Sequence, residues 1–309
     1  MLIKDPPVAV TGTLWMFGTT AYPVYLFLGE SEAAILEGGI GASGPMLRQQ
    51  MAAAGIRPEL VKQVVVTHAH PDHVMAVPRF REMFPGVTVV ASEIAARTLA
   101  AEKAIAMFRQ VDEAVCASLA KLGRIAEEHR PEPFAGSQIA VDRAVKEGDV
   151  IAVDGRGFQV LATPGHSECS LSFYEPAEQI LLISDATGYY MPEAGAWWPN
   201  YFSDYAAYLA SMRRLAGLPA EVLCLSHNGA IRGADDVRAY FAAAIAATEA
   251  YHQRIVAQAK AGKSLRQIAE ELGTEAYNQT PLLPVDFFQK NCGLLVKQSL
   301  RHAGIEIPK

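Results

Sequence analysis

Short apolar runs broken by glycine, proline and polar turns dominate the first part of the chain. Val8 to Phe17, Tyr22 to Leu28 and Ala33 to Leu36 mix β-branched and aromatic residues between turn signals such as Gly29-Glu30 and Gly38-Gly39, so each is predicted as a strand. Pro45 to Ala54 reads as a helix stopped at Gly55. Val64-Val65-Val66 and Val87 to Ala91 are continuous apolar runs, as expected of strands buried on both faces. From 93 to about 129 the period lengthens. Phe108, Val111, Val115, Leu119, Leu122 and Ile125 recur at three- and four-residue steps, which predicts one apolar helix face, with Pro131 and Pro133 as the break. Strands return at Val150 to Val153, Phe158 to Ala162, Leu171 to Tyr174 and Ile180 to Ile183. A helix over Asp204 to Leu215 and a short strand over Val222 to Leu225 follow. This alternation predicts a layered α/β core.

After Gly233 the pattern changes. Ala234 to Ala261 reads as one long amphipathic helix with Val237, Phe241, Ile245 and Ile255 inward. Ser264 to Leu272 is a second helix with Ser264 as N-cap, and Phe287 to Ala303 a third. The expected organisation is a core over 1–233 with a helical insertion near 93–130, then a helical extension over 234–309 acting as a lid or a dimer surface. Phe287 and Phe288 are the candidate lid residues.

Composition narrows the function classes. Half of the 309 residues are hydrophobic, 19% are charged and the net charge is −6, which favours neither nucleic acid nor an anionic membrane as partner. No apolar run is long enough to span a bilayer, and no signal-peptide pattern opens the sequence. The four cysteines, Cys116, Cys169, Cys224 and Cys292, are widely spaced and read as reduced, buried thiols of a cytoplasmic protein.

The chemistry concentrates behind the apolar runs. Thr67-His68-Ala69-His70-Pro71-Asp72-His73 places four metal-competent side chains directly after a buried strand. Imidazole suits zinc, iron, manganese or nickel, and carboxylate the harder of these. His166 follows the run Phe158 to Ala162, Asp185 follows Ile180 to Ile183, and His227 follows Val222 to Leu225. Strand ends are where α/β folds carry their ligands. Taken singly, a strand-end histidine is more often structural, and a strand-end aspartate a turn former. Together they use five of only eight histidines, which makes coincidence a poor account.

The order HxHxDH, His, Asp, His resembles the metallo-β-lactamase superfamily, over residues 8–232. The resemblance implies an αββα four-layer sandwich with a binuclear site at one edge of its two sheets. It further implies that His68, His70 and His166 hold one metal, that Asp72, His73 and His227 hold the other, and that Asp185 bridges them. Two divalent ions, zinc or iron or manganese, would then supply a bridging hydroxide for hydrolysis. Asp72 has a second reading, as an orienter of His73 rather than a ligand; ligation is preferred. Asp72 and Asp185 are the expected catalytic carboxylates.

A closer similarity points to a subgroup. Tyr22-Pro23-Val24-Tyr25, Leu36-Glu37-Gly38-Gly39-Ile40, Ala91-Ser92-Glu93 and Ser203 to Leu209 are similar to the quinolone-signal pathway thioesterases. That similarity implies hydrolysis of an acyl-CoA thioester, in that group 2-aminobenzoylacetyl-CoA. The sequence departs from it at Gly188-Tyr189-Tyr190, where the group carries an acidic side chain. Tyr189, Tyr190, Trp198 and Phe288 are candidate acyl-pocket residues; the competing reading makes the aromatics between Tyr189 and Phe202 core residues beneath the tail. Lactonase or phosphodiesterase chemistry on the same site, and regulation through protein contacts, are the alternatives. A small thioester or ester is the expected partner, with a homodimer compatible with the tail.

Overall fold

The computed structural model describes residues 1–306. In chain order its strands and helices are β1 (Leu2–Ile3), β2 (Val8–Ala9), β3 (Leu14–Gly18), β4 (Pro23–Leu28), β5 (Ala33–Leu36), α1 (Ser43–Ala53), β6 (Val61–Val65), α2 (Val77–Met83), β7 (Thr88–Ser92), α3 (Glu93–Leu99) and α4 (Glu102–Lys121). Then come β8 (Arg143–Val145), β9 (Val150–Val153), β10 (Arg156–Ala162), β11 (Leu171–Glu175), β12 (Ile180–Leu182), β13 (Tyr189–Met191), β14 (Ala196–Trp198) and α5 (Tyr205–Ala216). The chain ends with β15 (Val222–Cys224), β16 (Ala230–Arg232), α6 (Ala234–Lys260), α7 (Leu265–Gln279) and α8 (Val285–His302). Among the described residues no helix is long and apolar enough to cross a membrane.

Two compact units are built from these elements. The first comprises Met1–Ala162, Cys169–Ser184 and Pro219–Val237; the second comprises Thr163–Glu168, Asp185–Leu218 and Arg238–Lys309. In the first unit one sheet has the order β2-β3-β4-β5-β6-β7-β8, parallel from β5 to β8 and antiparallel before it. The other has the order β1-β16-β15-β12-β11-β10-β9, with only β12 and β15 parallel.

The period-2 alternation of strand side chains explains the layering. Ala34, Leu36, Val65 and Val90 share one cluster with Phe158, Phe173, Leu182 and Val222 of the other sheet. Phe27 meets Phe158 edge to face at 5.0 Å. Their strand neighbours Ile35, Val64 and Val89 turn the other way, onto Leu47, Phe80, Leu99 and Phe108 of α1 to α4. A strand sandwiched like this carries apolar residues on both faces, which is why its sequence runs continuously apolar.

Several boundaries differ from the sequence reading. The run Val8 to Phe17 is two strands, because Val10 closes a turn onto the Leu14 carbonyl at 2.8 Å. The α4 helix stops at Lys121, ten residues before the prolines. Gly123 takes φ +66 there, and the Arg124 amide reaches back to the Leu119 carbonyl at 2.8 Å, a helix end that needs a left-handed residue. Leu122 is therefore half exposed, at 50%, and leaves the apolar face assigned to it. Ile245 on α6 is only partly buried, while its neighbour Ala244 is fully buried.

The second unit holds the β13–β14 hairpin with α5, most of α6, α7 and α8. The last two pack closely because Gly273 leaves no room for a Cβ: one would stand 2.4 Å from the Gln289 Cα. Tyr201 is fully buried and shares a 2.8 Å hydrogen bond with Ser299 of α8.

Candidate metal centre

Parallel pairing puts strand ends side by side. In the first sheet Leu36 of β5 is in register with Val65 of β6, so Glu37 and the Thr67-His68 step emerge at one edge. In the second sheet Leu182 of β12 pairs with Cys224 of β15, so Ser184 and Ser226-His227 emerge together. The Ser226 hydroxyl donates to the Ser184 carbonyl at 3.0 Å. His68 Nδ1 lies 3.0 Å from Ser184 Oγ, and this contact joins the ends of the two sheets within the first unit.

The turn after His70 supplies the remaining ligand candidates of that unit. Pro71 fixes the first position of a single 3-10 turn, Pro71–His73, and the His73 amide closes onto the His70 carbonyl at 3.0 Å. Asp72, His73 and His227 each offer one ligand atom, and these atoms lie within 4.8 Å of one another. Asp72 Oδ2 is 3.3 Å from His73 Nε2 and 3.7 Å from His227 Nε2. Nε2 of His68 and Nδ1 of His70 are 3.1 Å apart.

In the second unit His166 and Asp185 form their own pair, Nε2 to Oδ2 at 3.3 Å. In the chain the Thr163–Glu168 segment follows β10 and precedes β11. Asp185 directly follows Ser184, the residue whose hydroxyl meets His68. The sequence-derived ligands thus fall into a set of five in one unit and a pair in the other.

Hydrogen bonds on the far side of the His68, His166 and His227 rings, and a carboxylate beside His73, fix their orientation. A carbonyl only accepts, so His227 Nδ1 donates to Ala21 O at 2.9 Å and His166 Nδ1 donates to Asn200 O at 2.8 Å. His73 Nδ1 stands 3.0 Å from Glu37 Oε2. For His68 the direction follows from a relay. Thr67 Oγ1 donates to the Glu37 carboxylate at 3.1 Å, Ser184 Oγ donates to Thr67 Oγ1 at 2.9 Å, and the Ser184 oxygen is left to accept from His68 Nδ1. These contacts engage Nδ1 and leave Nε2 as the ligating atom in each of the four imidazoles. For His73, His166 and His227 a carboxylate oxygen waits there, so acceptors stand on both sides of the ring. A cation between each Nε2 and its carboxylate resolves that conflict. The donor set fits divalent metals on this ground.

Glu37 has no role of its own in the sequence reading, which names it only within the Leu36–Ile40 segment. It is buried, at 4% exposure, and its backbone holds φ +117. It obeys the same rule as the ligands, a polar residue just past an apolar strand, so the signal was present. Ser184 (φ +49) and Asn228 (φ +63) flank the ligand set in the same left-handed region, and strained backbone of this kind gathers at functional sites.

The candidate pocket aromatics lie in the second unit. Tyr190 packs on Trp197 at 4.6 Å and on Tyr240 at 5.3 Å; Trp198 packs on Phe288 at 5.3 Å. Tyr189, Trp198 and Phe288 are buried, while Tyr190 and Trp197 are half-buried.

The sequence pattern of the metallo-beta-lactamase superfamily matches residues 18–227. The chain belongs to the metallo-β-lactamase superfamily and has its mixed α/β fold of two sheets and helices, here with C-terminal helices. Its relatives include a hydroxyacylglutathione hydrolase of Stenotrophomonas maltophilia (strain R551-3), 24% identical over 68% of this chain and 62% of the relative. Another, from Fuscovulum blasticum, is 27% identical over 58% of this chain and 51% of the relative. The chain thus spans only about half to three-fifths of the length of these relatives. A metallo-β-lactamase family protein from Thermus thermophilus shares the fold with a TM-score of 0.64 at 23% identity, covering 96% of this chain and 95% of that one. The subclass B3 metallo-β-lactamase of Bradyrhizobium japonicum does so with a TM-score of 0.58 at 20% identity, over 84% and 97%.

Proposed function

We propose that the chain is a binuclear metal-dependent hydrolase that cleaves an acyl thioester of the acyl-CoA type. The observation that carries the reading is the set of imidazoles with acceptors on both nitrogens, which calls for cations at Nε2. In this reading His68, His70 and His166 hold one metal, Asp72, His73 and His227 the second, and Asp185 is shared. Bound there, divalent ions such as zinc, iron or manganese would acidify water and polarise a carbonyl oxygen.

The protein's own part is orientation and proton handling. Glu37, Ala21 O and Asn200 O hold three rings in the tautomer that leaves Nε2 bare. Asp72 has the solvent access that the buried Asp185 lacks, with its side chain 26% exposed against 5%, so of the two carboxylates Asp72 is the one placed to accept a proton from the attacking water, through the oxygen turned away from His73 and His227. A thioester suits this site because a thiolate leaves without a separate general acid. Support for it comes from the two relatives, named for an acyl group carried on the thiol of glutathione. The similarity of the Tyr22–Tyr25, Leu36–Ile40 and Ser203–Leu209 segments to quinolone-signal thioesterases agrees. Tyr189, Tyr190, Trp198 and Phe288 are proposed to meet the acyl group.

The test is free-thiol release from a panel of acyl-CoA thioesters, an aroylacetyl-CoA and a hydroxyacylglutathione, with metal-loaded protein and a His68→Ala blank. Metal-dependent turnover of a panel member is expected, and Asp185→Asn should lower kcat by roughly 10²- to 10³-fold. Silence across the panel from metal-loaded protein that hydrolyses a lactone or a phosphodiester would overturn the thioester reading. Trp198→Phe, which keeps most of the buried ring, should lower turnover with only a small shift of the unfolding midpoint; equal loss of both would remove that residue from the pocket.

A further inference from the structure

A cavity of about 840 Å³ lies within the first unit, apart from the ligand set. Its walls come from Gly41 after β5, from Met75 to Glu82 around the start of α2, from one face of α4, and from the segment Arg130–Gly136. The volume is that of a small-molecule site.

Among its charged residues that are not solvent-exposed, two lack an ion-pair partner among the described residues. Asp112, on α4, is 6% exposed. Its Oδ1 accepts from the Gly41 amide at 2.8 Å and faces Cys116 Sγ at 3.8 Å, whereas Oδ2 has no hydrogen-bond or ion-pair partner among the described residues. The charges nearest in effect, Asp72 and Glu113, are of like sign. A buried carboxylate with one open oxygen and no cation is costly to keep. Three residues earlier on α4, half-buried Arg109 gives one N–H to the Phe134 carbonyl at 3.1 Å and forms no ion pair among the described residues. The other arginines of the cavity differ: Arg79 is matched by Glu82 at 2.8 Å, and Arg130 by Glu127 at 2.7 Å.

Residues at i and i+3 share a helix face, and Asp112 and Arg109 both line this cavity. They do not neutralise each other, because Asp112 is drawn to Gly41 and Arg109 to Phe134. The arrangement presents an anion and a guanidinium to one partly open cleft. We propose that this cavity binds a small zwitterionic amino carboxylate, its ammonium on Asp112 Oδ2 and its carboxylate on Arg109. A bidentate guanidinium–carboxylate contact and a charge-assisted ammonium contact are the strong members of their class. Apolar Met75, Pro78 and Phe134 would cover the carbon chain between the two charges. The proposal does not depend on the thioesterase reading.

Calorimetric titration of the full chain with 4-aminobutyrate, L-glutamate and glycine tests it, beside butylamine and butyrate as single-charge controls. At least one amino carboxylate should bind saturably, and about tenfold or more tighter than either control. Asp112→Asn keeps an acceptor for the Gly41 amide, and Arg109→Gln keeps a donor for the Phe134 carbonyl. Each should weaken that binding about tenfold or more. Butylamine binding as tightly as the amino carboxylates, no saturable binding up to about 10 mM, or unchanged affinity in folded Arg109→Gln would each overturn the assignment.

Discussion

A glutamate with φ +117 is held there by its surroundings. For Glu37 these are the Val65 carbonyl, which takes its amide at 3.0 Å, and the groups on its carboxylate: Thr67 Oγ1 and, 3.0 Å away, His73 Nδ1. Through Thr67 and Ser184 the same carboxylate also orders His68. Glu37→Gln keeps the size and removes the charge. It should weaken metal binding about ten- to a hundredfold, measured by competition with a chromophoric chelator, with circular dichroism unchanged. Wild-type affinity in this variant would show that the rings are oriented without it. Asp112 gives a prediction in pH. Burial first, then Asp72 and Glu113, push its carboxyl from 3.8 up to about 6. A carboxyl raised on folding contributes stability in full below its unfolded value, and that contribution is lost as pH rises through the folded value. Relative to Asp112→Asn, the wild type should therefore lose up to roughly 3 kcal/mol between about pH 4 and pH 6 and nothing more above about pH 7. Urea unfolding of both proteins across that range would reveal parallel curves if Asp112 titrates normally.

At the level of elements, the approach of α5 to the His166 turn depends on one missing side chain. Gly165 has φ +124, and a Cβ on it would stand 2.2 Å from the backbone of Tyr208. Its carbonyl also accepts from the Ser203 and Asp204 amides at 3.0 and 3.1 Å. Gly165→Ala should destabilise the fold by roughly 2–4 kcal/mol, seen as an earlier denaturation midpoint. A milder loss of about 1 kcal/mol is expected from Ser264→Ala, which removes the capping box of α7. Elements with such local signals were legible: Ser264 marked the start of α7, and Asp204, which accepts from the Ala207 amide at 2.7 Å, marked α5. Elements set by tertiary contact were not. Gly273 looks like a helix stop, yet α7 runs through it to Gln279 because α8 needs that gap. The three-residue strands of the β13–β14 hairpin, like β16, are too short for alternation to show; pairing alone defines them.

Over the whole molecule, polar residues placed after apolar strands disclosed the ligand candidates, since parallel register brings such positions together. The hydrogen bonds behind the rings could not be read, because Ala21 and Asn200 act through backbone carbonyls that no side chain announces. The expectation for the cysteines has a chemical counterpart. All four are buried and in no disulfide, and burial pushes Cys116 up to about 12, Cys292 up to about 11 and Cys224 well above the ordinary thiol value. Thiolate is the reactive form. A disulfide reagent near neutral pH should label none of them in the native protein and all four after unfolding; stoichiometric labelling of a native thiol would contradict this burial.

The second unit is gathered from three stretches of chain, and its last helix holds its middle. Ser299 bonds Tyr201, Gln298 donates to the Phe202 carbonyl at 3.0 Å, and Phe288 backs Trp198. On the ribosome, the stretch carrying Asp185 emerges long before α8 does. A chain whose synthesis is cut short ahead of Val285 would carry every candidate ligand and still lack the packing behind Asn200, whose carbonyl orients His166. Translation would thus complete the candidate metal centre only once α8 has emerged, although its residues are written early in the message.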